Sequence, residues 1–140
     1  MLVHATTVDI AGLGLLSLGP SGAGKSDLAL RLIARGALLI ADDQTDVAAV
    51  SGDLRAQAPA PISGLIEARG LGIVRAPTKR ATRLRLAVEL VQRAVERMPE
   101  PKTWSLPGHE NPRVPLIELE AFETSAAEKA LMALAAVPDA

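Results

Sequence analysis

The chain has 140 residues, with 15 Lys and Arg against 16 Asp and Glu, a formal net charge of −1 and 49% hydrophobic residues. This length fits one compact domain and leaves no room for a second full one. Balanced charge with one Trp, one Phe and no Tyr provides neither a basic surface for phosphate backbones nor an aromatic platform for stacked bases, so we expect no nucleic-acid partner. The absence of cysteine excludes disulfides, thiol nucleophiles and cysteine-based zinc sites.

The start of the chain predicts neither a membrane segment nor a secretory signal. Its longest apolar stretch, residues 10–18, is interrupted by two glycines and is about half of the roughly 20 residues that a membrane-spanning helix needs. The first residues lack the charged lead and the small-residue cleavage site of a signal peptide. We therefore expect a cytoplasmic protein without a membrane partner.

The first third of the chain predicts a strand, a loop, a helix and a second strand. Residues 13–18 form a short apolar run bounded by glycines, typical of a strand that is buried on both faces of a parallel sheet. Residues 25–35 carry apolar side chains at helical spacing. Residues 37–41 are again apolar and end at Asp42 and Asp43, which predicts a second parallel strand ending in two carboxylates.

Two further strand patterns follow. The turn-forming residues 51–53 lie between residues 47–50 and 54–58, which predicts a hairpin. Residues 82–90 alternate apolar with mainly polar side chains, which predicts a strand with one face toward solvent.

The last part of the chain predicts a loop and a helix. Prolines make residues 99–115 loop-like, with an edge strand at residues 116–119. Ser125 and Glu128 form a capping-box pattern ahead of an apolar helix that Pro138 ends. The elements together predict one α/β domain with a mainly parallel central sheet, antiparallel edge strands and a C-terminal helix.

The strongest functional pattern is a glycine-rich segment between the first predicted strand and the first helix. It matches G-x-x-x-x-G-K-[ST] with Gly19, Pro20, Ser21, Gly22, Ala23, Gly24, Lys25 and Ser26. Glycines let successive backbone N–H groups turn around a polyphosphate, and the start of the helix adds positive charge. Lys25 is expected to reach the β and γ phosphates, and Ser26 to offer its hydroxyl to Mg²⁺. Residues 19–26, the glycine loop, therefore predict nucleotide binding.

The pair Asp42-Asp43 lies where the second predicted strand ends. Open α/β sheets bind ligands at this carboxyl edge, beside the expected position of the glycine loop. One carboxylate can serve Mg²⁺ and the other can serve a nucleophile. A solvated turn that carries charge without function is the alternative.

Three segments carry a family pattern. His4 and Asp9, with the glycines at 12, 14 and 19, follow the spacing H-G-x-x-V-D-x-x-G-x-G, although Ala5 replaces its first glycine. Residues 39–43 match L-[IV]-A-D-D, and residues 66–73 are similar to L-E-x-R-G-[LI]-G-I. In these segments the chain resembles the HPr kinase/phosphorylase family, bacterial enzymes that transfer phosphate from ATP to a serine of the phosphocarrier protein HPr.

The resemblance implies roles for individual residues. Asp43 would take the serine proton during phosphorylation and return it in the reverse reaction, with Asp42 beside it. Ser26 and Glu67 would hold Mg²⁺. The remaining catalytic positions would be His4, Lys25 and Arg97.

Beyond residue 75 the resemblance is weaker. Arg97 is the nearest counterpart of the family's catalytic arginine, and a solvent-facing arginine is the alternative. The family's late stretch P-V-x-x-G-R-N, tied to dephosphorylation, has no clear counterpart, because residues 113–116 begin similarly and then diverge. The sequence therefore leaves the reverse phosphorolysis open.

The sequence as a whole predicts an ATP- and Mg²⁺-dependent serine kinase for an HPr-like phosphocarrier protein of the phosphotransferase system. By resemblance we expect a single P-loop kinase catalytic domain over residues 1–140, no N-terminal regulatory domain, and a homo-oligomer, a hexamer as in the family. Two alternatives stay open, since a fold does not fix a function. They are a nucleotide-binding regulatory module with little catalysis and a P-loop kinase for a small metabolite.

Overall fold

The computed structural model describes residues 1–59 and 64–138. Nine of its strands form one sheet, and two more form a separate hairpin. The strands are β1 (Leu2–Val3), β2 (Ala5–Ile10), β3 (Leu13–Leu18), β4 (Leu38–Ala41), β5 (Thr45–Val50), β6 (Asp53–Gln57), β7 (Leu65–Ala68), β8 (Gly72–Arg75), β9 (Ala81–Val91), β10 (Lys102–Ser105) and β11 (Arg113–Glu120). The helices are α1 (Lys25–Ile33) and α2 (Ala126–Ala136).

The main sheet has the strand order β1-β5-β6-β9-β3-β2-β4, with β11 also paired to β9 and β10 paired to β11. Only β3 with β9 and β9 with β11 are parallel, and the other pairs of this sheet are antiparallel. The α/β class with parallel and antiparallel strands and a C-terminal helix is confirmed. The balance differs from the expectation, because the sheet is mostly antiparallel.

Strand β2 accounts for much of this difference. Its β-branched residues pair antiparallel with β3 on one side and with β4 on the other. Ala11 and Gly12, with φ of 53° and 88°, form the two-residue turn to β3, and positive φ at both central positions is typical of the type I′ turn that suits hairpin strands. Because β2 lies between them, β3 and β4 still run in the same direction. Their carboxyl ends therefore meet at one edge of the sheet, as predicted.

The predicted hairpin at residues 47–58 is confirmed by the pairing of β5 with β6. The strand at residues 82–90 is also confirmed, but its expected solvent-facing side is wrong. Five successive residues of β9, 84–88, are buried, since other strands cover both edges of β9 and apolar clusters cover both faces. The edge strand expected at residues 116–119 is an inner strand, because β11 lies between β9 and β10.

Both helices pack on one face of the sheet, against residues such as Leu15 and Val88. The C-terminal helix is confirmed, but the capping box is wrong. The Ser125 hydroxyl donates to Glu123 Oε1 instead of capping the helix, and Glu128 pairs with Arg35. No helix in the described ranges is long and apolar enough to cross a membrane.

Candidate functional site

One edge of the main sheet gathers the residues that the sequence singled out. The carboxyl ends of β3, β4, β9 and β11 lie at this edge, together with the amino end of β2. The glycine loop follows β3, the two aspartates follow β4, and His4 precedes β2. Segments that are far apart in sequence therefore meet within one site.

The glycine loop turns tightly from β3 into α1. Ala23 N–H donates to Pro20 O at 3.0 Å. Gly24 has φ of 101°, and a Cβ at this position would lie 2.6 Å from Ala121 Cβ, so only glycine fits. The first helical hydrogen bond joins Leu28 N–H to Gly24 O at 2.9 Å. The N–H groups of residues 25–27 thus lie at the open start of the helix, where anions bind.

Lys25 is a buried cation within the glycine loop. Its side chain is 5% exposed, and Nζ donates to Gly19 O at 2.7 Å and to Pro20 O at 3.1 Å. Nζ also lies 4.0 Å from Asp43 Oδ1. The loop and the second aspartate therefore face each other across a short gap.

Asp42 connects three parts of the site. Its Oδ1 accepts hydrogen bonds from Ser26 Oγ at 2.6 Å and from Thr6 Oγ1 at 3.0 Å, and its Oδ2 accepts from Glu67 N–H at 3.2 Å. The carboxylate is thus bound on both oxygens and fixed against the start of α1. A hydroxyl and a carboxylate this close are the hard oxygen ligands that Mg²⁺ prefers.

The Asp43 carboxylate has different partners from that of Asp42, although the two residues are consecutive. Its φ of 67° lies in the left-handed region, which Asp tolerates better than most residues. Its N–H donates to Thr6 Oγ1 at 3.0 Å, while its Oδ1 lies 2.7 Å from His4 Nε2. The side chain is 62% exposed. One aspartate is therefore engaged in the fold, and the other is available to a reactant.

Thr6 is a site residue that the sequence analysis missed. It is buried on β2, where its hydroxyl donates to the Asp42 carboxylate and accepts from the Asp43 backbone N–H, so it ties both aspartates to β2. Threonine is common in strands. Only its position two residues after His4 in a strand that starts at this edge could have indicated it.

Asp9, although part of the family pattern, lies at the opposite end of β2. This buried carboxylate accepts hydrogen bonds from Gly12 N–H at 2.9 Å, Thr82 Oγ1 at 2.6 Å and Lys79 Nζ at 3.1 Å. Burial by itself would raise the pKa of Asp9, but these bonds outweigh it and hold the pKa below its ordinary value. Asp9 joins the turn after β2 to β9.

Glu67 and Arg97, which the resemblance assigns to the site, differ from the other predicted residues in their contacts. Glu67 lies on β7, with its backbone N–H against Asp42 and the residue itself exposed. Arg97 is exposed in the segment between β9 and β10. In the part of the chain that the structure describes, it makes no hydrogen bond or ion pair with the other site residues. The structure therefore brings the Glu67 backbone to the site edge, and among the described residues it shows no bond between Arg97 and the site.

Comparison with known proteins identifies the family to which the chain belongs. The family model of the HPr serine kinase C-terminal domain matches residues 1–103. The chain belongs to this family. The resemblance inferred from the three segments is confirmed, and the match extends beyond residue 75.

Relatives and a solved structure agree with this membership of the HPr serine kinase C-terminal domain family. The HPr kinase/phosphorylase of Clostridium tetani is 46% identical over 76 residues, covering 54% of this chain and 25% of the relative. That of Clostridium novyi is 47% identical over 75 residues, covering 54% and 24%. The chain thus matches about a quarter of the length of these relatives. The Hpr(Ser) kinase/phosphatase from Coxiella burnetii has a similar structure, with a TM-score of 0.76 and 25% identity over 96% of this chain and 87% of that one.

The oxygen ligands at the site fit a Mg²⁺ ion that is also coordinated by the phosphates of a bound nucleotide. No three His, Cys, Asp or Glu side chains of the described residues lie close enough to hold a metal ion. Mg²⁺ usually takes only one or two carboxylates and completes its shell with water and substrate phosphates. Ser26 and Asp42, with Oγ and Oδ1 2.6 Å apart, provide such a partial set.

Proposed function

We propose that the chain is the catalytic domain of an ATP- and Mg²⁺-dependent serine kinase that phosphorylates an HPr-like phosphocarrier protein of the phosphotransferase system. The observation that carries this proposal is the 4.0 Å approach of Asp43 Oδ1 to Lys25 Nζ. Asp43 can orient a hydroxyl, and it lies beside Lys25, which belongs to a loop whose sequence pattern is typical of phosphate binding. Family membership and the names of the relatives point to the same reaction.

The nucleotide end of the site consists of the glycine loop and the start of α1. Their N–H groups would bind the polyphosphate, and Lys25 would exchange its two carbonyl partners for the terminal phosphates. Ser26 and Glu67 remain the proposed Mg²⁺ ligands, and we add Asp42, which bonds both residues. Bound Mg²⁺ would neutralise charge on the phosphates during transfer.

The acceptor end consists of Asp43 and His4. Asp43 would accept the proton of the substrate serine as its oxygen attacks the γ phosphorus. A new O–P bond forms, the bond from the γ phosphorus to the bridging oxygen breaks, and ADP leaves. His4, 2.7 Å from Asp43 Oδ1, would hold the carboxylate in position. In the reverse phosphorolysis Asp43 would return the proton to serine, and inorganic phosphate would accept the phosphoryl group.

Other parts of the proposal follow from family membership. Arg97, on the segment that leaves β9 at the site edge, would approach the transferred group when the carrier protein binds. The protein would act in the cytoplasm as a homo-oligomer, a hexamer by resemblance.

Mass spectrometry tests the proposed function directly. An HPr-like protein is incubated with the chain, ATP and Mg²⁺, and a phosphoserine on the carrier is the expected result. Asp43→Asn serves as the inactive control. ATP binding without transfer to any acceptor would instead identify a regulatory module, and transfer to small alcohols but not to the carrier would identify a metabolite kinase.

A further inference from the structure

Phe122, the only phenylalanine of the chain, lies beside the glycine loop. It follows β11 at the same sheet edge, and its side chain stays largely in solvent, with the residue 63% exposed. A Cβ at Gly24 would lie 3.1 Å from Phe122 Cζ. The ring edge therefore rests on the loop residue just before Lys25.

The backbone on both sides of Phe122 is fixed. Arg31 of α1 donates from one guanidinium nitrogen to Ala121 O at 2.8 Å and from the other to Glu123 O at 3.1 Å. The Glu123 carboxylate is held by Ser125 at 2.9 Å and by Lys129. The segment that carries the ring is thus bound to the same helix that begins at the glycine loop.

The exposed Phe122 ring stands on a backbone that Arg31 holds in place. Exposed large apolar groups forgo the free energy of burial, and rigid mounting lowers the entropy cost of a later contact. Met132, 75% exposed on α2, is equally apolar but does not lie against the loop. The distinguishing feature of Phe122 is therefore its contact with the glycine loop.

We propose that Phe122 is the stacking platform for the base of the nucleoside triphosphate whose phosphates the glycine loop holds. This inference rests on the proposed function, because it needs the polyphosphate on the loop. The base lies at the far end of the nucleotide from the transferred phosphate, so the ring contributes to binding and not to the transfer step. Stacking on an aromatic ring accepts every base, because each base has a π face. Phe122 consequently adds affinity with little choice among bases.

Affinities for ATP and for inorganic tripolyphosphate, both with Mg²⁺, separate the base from the phosphates. They are measured by titration calorimetry for the wild-type chain, Phe122→Ala, Phe122→Tyr and the matched control Met132→Ala. We expect Phe122→Ala to weaken ATP binding about tenfold and to leave tripolyphosphate binding unchanged. Phe122→Tyr should retain ATP binding, and Met132→Ala should match the wild type for both ligands.

The outcomes that overturn the inference are distinct from failure of the proposed function. Unchanged ATP affinity in Phe122→Ala removes the stacking role. An equal loss for ATP and tripolyphosphate shows that the substitution disturbs the loop itself and also overturns it. A wild-type chain that binds neither ligand defeats the proposed function as well.

Discussion

The two ends of strand β2 carry polar clusters that differ in what they can do. At one end, Asp9 is buried and accepts three hydrogen bonds that join a turn to β9. At the other end, Asp43 exposes 62% of its side chain and faces Lys25 and His4. Both aspartates belong to the family pattern, so the pattern alone does not separate them. Burial and bonding do, because a carboxylate that is fully engaged in the fold is not available to a reactant.

The largest effect is expected at the exposed end. Asp43→Asn should reduce phosphoryl transfer by about 10²–10⁴-fold, because it removes the group that accepts the serine proton. ATP affinity and the free energy of unfolding should stay close to the wild type. Radiolabel transfer to the carrier, ATP titration and urea unfolding measure the three quantities. Wild-type transfer by this variant would remove Asp43 from the mechanism.

A substitution of Lys25 tests the nucleotide-binding part of the site. Lys25→Ala should lower both ATP affinity and turnover, with turnover falling by about 10²–10³-fold, since it deletes the cation that faces the transferred group. Comparison with Asp43→Asn sharpens the contrast, because only Lys25→Ala should affect nucleotide binding. ATP affinity equal to that of the wild type would contradict the assignment of the glycine loop.

The buried end should respond in stability and not in catalysis. Asp9→Ala leaves the buried Thr82 hydroxyl and the Gly12 N–H without their acceptor, so we expect the free energy of unfolding to fall by about 2 kcal/mol. Turnover per folded molecule should match the wild type. Urea unfolding and an assay corrected for the folded fraction measure both. A loss of turnover without a loss of stability would contradict the assignment of Asp9 to the fold and not to catalysis.

The smallest effect concerns acid stability. The pKa of Asp9 is lowered in the folded chain from its ordinary value of 3.8. Its contribution to stability is therefore fully present above that ordinary value and is lost as the pH falls toward the lower folded-state pKa. Asp9→Asn, which does not titrate, should lose less stability than the wild type over this acid range. Identical acid dependence of the two proteins would show that Asp9 gains nothing from its charge.

Much of the candidate site is local in sequence and was therefore predictable. The glycine loop needs only a strand before it, a helix after it and glycines at fixed spacing, and all of these lie within residues 13–33. The position of Asp42 and Asp43 at a strand end likewise follows from one short apolar run. The resemblance of residues 4–19 and 66–73 to the family pattern added His4 and Glu67.

Two predictions from local sequence patterns were wrong because tertiary packing outweighed the local preference. The alternation in β9 predicted a solvent-facing side, but its central position between β3, β6 and β11 buried both faces. Ser125 has the residue type and spacing of a helix cap, but its hydroxyl bonds Glu123 instead. Local preferences of this kind are weak compared with tertiary packing.

The sequence by itself determined the family, the glycine loop and the carboxylates at a strand end, because these depend on residues close together in the chain. Only the tertiary structure decided that β2 lies between β3 and β4 and that the Thr6 hydroxyl bonds both Asp42 and Asp43. Only the fold likewise set Phe122 against Gly24. These contacts join residues tens of positions apart, and side-chain contacts over such distances are fixed by packing rather than by any local pattern.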